Sequence, residues 1–140
     1  MLTQSLLNIN RIANIKTFVF LALKNIYIIK HTAKRNNFFD IIILDPPSFS
    51  RYQGGSFSVK KDMPFMIEKA LEALNASGIL FVATNLSSIL CPQMEAWVHA
   101  AAKNVQRKIM EVNHLGQDIE FRRSGLMKES FLSAVLVKVK

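Results

Sequence analysis

The stretch FFDIIILDPPSFSR, residues 38–51, decides how this chain folds. Residues 38–44 run apolar, apart from Asp40, without the alternation of a half-exposed strand. Such a run suits a strand in a parallel sheet with helices on both faces. It stops at Asp45, and Pro46 and Pro47 follow. Two consecutive prolines set two φ angles and remove two N–H donors, so the chain is expected to leave the sheet extended and stiff. The Asp45 carboxylate and the nearby carbonyls then form a fixed array of acceptors, and Phe49 is carried to the rim. A planar, amine-bearing ring fits such an array, because acceptors take its N–H bonds while the aromatic face stacks on it. The competing reading is an ordinary strand exit, with Asp45 as a turn residue and Phe49 buried.

Working outward, Asp62 is placed to cap a helix whose first turn tolerates Pro64. Met63, Met66, Ile67, Ala70, Leu71 and Leu74 recur at helical spacing on one face of it. The segment NASG, residues 75–78, is expected to end that helix, with Gly78 as the left-handed cap. ILFVAT, residues 79–84, reads as the next buried strand. Pro92 suits a first helical turn, and Met94, Trp97, Val98, Ala101 and Val105 continue as a core-facing stripe. RKIMEVN, residues 107–113, and FLSAVLVKV, residues 131–139, read as two further strands. Upstream, residues 17–23 suit a buried strand, while the stretch 17–29 suits a helix equally well, and KHTAKRNN, residues 30–37, is a basic, polar connector. Strand, helix, strand, helix, strand, strand describes an open α/β sheet, in which ligands collect at the carboxyl ends of the strands. The Asp-Pro-Pro turn belongs at that end.

Composition narrows the partners. The 140 residues suit a single globular domain, half of them hydrophobic, with a mean hydropathy of +0.19. Lys and Arg number 18 against 10 Asp and Glu, a net charge of +8, and no acidic residue precedes Asp40. A polyanion such as a nucleic acid is the expected partner, since each bound cation releases condensed counterions. The single cysteine, Cys91, excludes an internal disulfide and a cysteine-cluster metal site. His31, His99 and His114 lie far apart with no ligand-like spacing on one element, so no metal is expected. The most apolar window, residues 18–29, is interrupted by Lys24 and Asn25 and is too short to span a bilayer. It lacks a signal-peptide cleavage pattern, and the expectation is a cytoplasmic protein without a membrane segment.

Taken together, FDIIILDPPSFSR and GGSFSVKKDMPFMIEKALEALNASGILFVATN, with ESFLSAVLVKV at residues 129–139, resemble the class I S-adenosylmethionine-dependent methyltransferases that modify large-subunit ribosomal RNA. The likeness runs over about residues 38–140. It implies a Rossmann-like α/β sheet and methyl transfer from a sulfonium to a base. It also implies that Asp45, Pro46, Pro47 and Phe49 lie beside the donor and the target base, with Asp45 and Pro46 touching the donor. Ser48, Ser50 and Arg51 line the same loop, and Ser48, Arg51, Lys60 and Lys61 are the expected RNA contacts. Relatives that methylate cytosine C5 carry a cysteine where VATN, residues 82–85, has none, so the resemblance points to a base nitrogen. Cys91, further on, reads as a small buried or helix-start residue.

The front of the chain departs from the family pattern. All five glycines, Gly54, Gly55, Gly78, Gly116 and Gly125, follow the Asp-Pro-Pro turn, so the glycine-rich donor loop is missing. Gly54 and Gly55 read as part of a lid. Where the family places an acidic residue for the donor's adenine, this chain offers Lys24 or Asn25. The expectation is a single truncated domain over residues 1–140, a sheet lacking its first two strands. In the family's strand order, residues 38–44 would then present an open edge, which KTFVFLALKNIYII, residues 16–29, could cover in part or a second chain could complete. The functional expectation is an S-adenosylmethionine-dependent RNA methyltransferase or a fragment of one. The alternative is a catalytically inactive, basic RNA-binding remnant without a donor site.

Overall fold

The computed structural model describes residues 17–20, 38–115 and 132–140. Within them five strands form one sheet in the order β1-β2-β5-β7-β6. These are β1 (Thr17–Phe20), β2 (Phe39–Leu44), β5 (Leu74–Thr84), β6 (Ile109–Leu115) and β7 (Ser133–Val139). β1, β2 and β5 are parallel, whereas β7 runs antiparallel to both of its neighbours. A separate hairpin, β3 (Phe49–Tyr52) and β4 (Gly55–Ser58), leads into helix α1 (Val59–Ala73). Helix α2 (Cys91–Asn104) joins β5 to β6.

The core lies between the sheet and the two helices. Ile42, Leu44, Leu80, Val82, Val135 and Val137 stand on one sheet face and are fully buried. Against them pack Met63, Met66, Ile67, Ala70 and Leu71 of α1 and Met94 and Val98 of α2. Each of the Val, Ile, Leu and Met side chains contributes about 1.5–3 kcal/mol by leaving water. The other face carries Ile41, Ile43, Ile79, Phe81 and Leu136, which are only half-buried. Helices on both faces were expected; among the described residues they cover one.

Several local expectations change. The helix starts at Val59, three residues before Asp62, because Asp62 acts from inside the first turn, its Oδ2 accepting the Ser58 N–H at 2.8 Å. Pro64 therefore sits beyond the first turn, where it withholds an N–H from the carbonyl of exposed Lys60. Residues 75–78 do not cap the helix, since the chain turns extended at Leu74 and β5 begins there. The left-handed residue is Ser77, at φ 62°, not Gly78. Gly78 is required for closeness instead: a Cβ there would lie 2.9 Å from the Asn75 carbonyl oxygen and 3.3 Å from that of Asp40. Gln53 and Gly54 form a two-residue hairpin connection with Gly54 at φ 100°, so this glycine pair belongs to a β-turn.

The edge of β2 is not open. β1 pairs along it, Thr17 opposite Ile41 through Phe20 opposite Leu44, and occupies the place expected to stand empty. Lys24, Asn25 and the connector 30–37 lie outside the described residues, as do Gly116 and Gly125.

Candidate base-binding site at the carboxyl edge of the sheet

β2 and β5 are parallel neighbours with Leu44 opposite Val82, so both strands end at the same edge of the sheet. Asp45 emerges from β2 with its side chain exposed. Pro46 is buried and Pro47 exposed, so the turn is anchored by one ring while the other lines the surface. Phe49 opens β3 and is 55% exposed, as expected for an aromatic at the rim and contrary to the packed alternative. The Arg51 guanidinium lies 5.9 Å from the centre of its ring, a cation held on one aromatic face.

The turn is held at two further points. The Ser48 carbonyl accepts the Val59 N–H at 3.1 Å, tying the exit of the turn to the start of α1. The Ser48 hydroxyl donates to Asn85 Oδ1 at 2.6 Å, tying it to the end of β5. Asn85 follows Thr84, which is completely buried and accepts the Leu86 N–H on its Oγ1 at 3.2 Å. Ser48, expected to meet RNA, thus has a partner inside the protein. Ser50 and Arg51 belong to β3 and not to an irregular loop, and Lys60 and Lys61 are exposed in the first turn of α1. Asn85 is the residue that reading the sequence missed. Thirty-seven positions separate it from Ser48, and no local pattern joins the two.

The family donor site fits these residues in part. Asp45 supplies an exposed acceptor at the strand end, beside the buried Pro46. Of the described glycines, Gly54 and Gly55 lie at the hairpin turn and Gly78 lies near the start of β5, so none cradles a ligand beside Asp45.

Two cavities lined by described residues lie elsewhere. One, of about 380 Å³, opens by the starts of β2 and β5, between Phe38, Leu74, Asn75 and Arg107. The other, of about 290 Å³, lies between α1 and α2 against Pro64, Phe65 and Trp97. Arg107 serves the frame, donating from Nε to the Leu71 carbonyl at 3.2 Å and from its terminal nitrogen to that of Leu74.

The histidines are closer than their spacing suggested. His114 of β6 and His99 of α2 both approach Glu95, with Nε2 at 2.6 and 3.5 Å from its carboxylate oxygens. His114 beside it, and secondarily His99, hold the Glu95 carboxyl below its ordinary value. No group of three or more metal-ligating side chains suited to a metal ion occurs among the described residues. Cys91 opens α2, its thiol donating to the Ala134 carbonyl at 3.4 Å. Among the described residues no helix is long and apolar enough to cross a membrane.

Known proteins resemble this arrangement. YwbD of Bacillus subtilis, assigned as a ribosomal RNA large subunit methyltransferase, is 27% identical over 111 residues, 79% of this chain and 28% of its own. The ribosomal RNA large subunit methyltransferase K/L of Psychrobacter arcticus is 42% identical over 52 residues, 35% of this chain and 7% of its own. The chain thus spans well under a third of either relative. No protein-family model matches it. Among solved structures, the methyltransferase SMU.776 complexed with SAH superposes with a TM-score of 0.62 at 21% identity, over 87% of this chain and 38% of that one. A SAM-dependent methyltransferase from Agrobacterium tumefaciens gives 0.57 at 15% identity, over 87% and 47%. The described residues thus share the fold of S-adenosylmethionine-dependent methyltransferases of known structure, and by sequence the chain is similar to a part of the large-subunit ribosomal RNA methyltransferases.

Proposed function

We propose that this chain forms the base-handling part of an S-adenosylmethionine-dependent methyltransferase acting on a base nitrogen of large-subunit ribosomal RNA. The observation that carries the proposal is the Asp-Pro-Pro-Ser-Phe turn, clamped at the carboxyl edge of the sheet with Asp45 and Phe49 both turned out to solvent. That edge is where open α/β sheets take their ligands.

In this reading Phe49 stacks on the target base, and the Asp45 carboxylate accepts an N–H from its amine edge. Pro46 and Pro47 keep both groups at fixed separation, so little freedom is lost when the base arrives. Arg51, Lys60 and Lys61 meet the phosphates on either side. The donor, when bound, supplies an electrophilic methyl group on a sulfonium. The chain's own task is to align the base nitrogen with it and to exclude water, and neither a thiolate nor a metal is needed for a nitrogen target. Asp45 and Pro46 are the proposed donor contacts. A ribosomal substrate implies work in the cytoplasm.

The test is transfer of labelled methyl from S-adenosylmethionine to deproteinised large-subunit RNA by the purified chain. The reading predicts label in an N-methylated base, and none with Asp45→Ala at unchanged thermal stability. Label that persists in Asp45→Ala contradicts the role given to Asp45. No label, with no heat of donor binding by calorimetry, contradicts activity of this chain.

A further inference from the structure

Beyond the groups that would touch the base, we infer that Asn85 is a positioning residue, whose carboxamide holds the Asp-Pro-Pro-Ser-Phe turn through the Ser48 hydroxyl and thereby sets where Phe49 stands. The inference rests on the proposed base-binding role of that turn.

Prolines alone do not set the position of Phe49. They stiffen residues 45–47, but Ser48 is the pivot between that rod and β3, and a residue with free φ and ψ there would let the hairpin swing. Two bonds restrain the pivot from different elements, the Val59 N–H on its carbonyl and Asn85 on its hydroxyl. The first ties the turn to the helix that follows it. The second crosses to the strand next to β2, so it is the one that holds the turn relative to the sheet edge. Asn85 suits this because its backbone is itself restrained: Thr84 before it is fully buried and binds the Leu86 N–H after it.

Four variants separate holding from mere packing. Ser48→Ala and Asn85→Ala remove the bond, while Ser48→Thr and Asn85→Asp keep a hydroxyl and an acceptor oxygen in place. The bond's net worth predicts amide exchange over residues 49–58 about fivefold faster in the two alanine variants, with α2 and β5 unchanged. Ser48→Thr and Asn85→Asp are expected to exchange like the parent chain. Exchange that is unaltered in both alanine variants, or raised equally in Asn85→Asp, overturns the clasp. This readout needs neither donor nor RNA, so it fails or holds separately from the proposed function.

The second readout is binding of a single-stranded oligoribonucleotide. Ser48→Ala and Asn85→Ala are each expected to weaken it about fivefold, and the double variant no further, because the two act through one bond. If Phe49→Ala weakens binding and the clasp variants do not, the positioning role is wrong although the base site stands. If Phe49→Ala itself has no effect, the base-binding reading falls and takes the positioning role with it.

Discussion

Gly78 shows how a single position can be misread for a sound reason. Glycine after a helical stripe ordinarily marks a left-handed cap. Here that conformation falls on Ser77, and Gly78 lies flat against the carbonyls of Asn75 and Asp40, where a methyl group would come within 2.9 Å of backbone. Gly78→Ala is therefore expected to lower stability by about 1–3 kcal/mol, read from the denaturant midpoint, because backbone and not a flexible side chain must move. Other residues were legible because their constraint is local. Proline restricts its own φ wherever it occurs, so the exposed acceptor and the rim aromatic could be inferred from residues 45–49 alone. Asn85 could not, since its partner is brought to it only by the pairing of β2 with β5.

Among the elements, the strands were easier to read than their connections. The continuous apolar runs of β2, β5 and β7 announce buried parallel or central strands. The β3-β4 hairpin was present in FSRYQGGSFS as two four-residue arms around Gln53-Gly54, but serines blur the alternation that would have marked it. β1 was ambiguous because thirteen mostly apolar residues fit a strand or a helix, and tertiary pairing with β2 decided between them. The joint between α2 and β6 was also hidden, because Glu95 meets His114 only after the crossover has closed. Its pH dependence follows from the carboxylates. Glu95, held down chiefly by His114, and Glu111, held down chiefly by Lys138, both titrate below the ordinary value. A depressed carboxyl stabilises the fold fully above its unfolded pKa of about 4.3 and loses that contribution as the pH falls through the lower folded value. Both groups are solvent-exposed, so the effect is small. Glu95→Gln is expected to flatten the fall of the thermal midpoint below about pH 4, with no change at pH 7 beyond the loss of the histidine contacts.

At the scale of the molecule, the sheet order, the crossovers and the antiparallel β7 make a class I methyltransferase frame with its helical layer on one face of the described sheet. That frame depends on few side chains. Leu80 stands fully buried in β5, the strand paired with both β2 and β7, and Leu80→Ala is expected to cost about 2–5 kcal/mol, measured as a shift of the unfolding midpoint. Phe49 lies outside this core, so its removal is expected to leave the midpoint where it was. The surplus of eight positive charges makes RNA binding of some kind unsurprising, and its salt dependence alone would not distinguish a base site from a basic surface. Fluorescence of a 2-aminopurine placed in a single-stranded oligoribonucleotide makes that distinction, because stacking of the probe on an aromatic ring quenches it. Titration of the chain is predicted to quench the probe to saturation, with Phe49→Ala weakening the response about 5- to 150-fold, the equivalent of one stacked base. Superimposable titrations for the parent chain and Phe49→Ala would contradict the account.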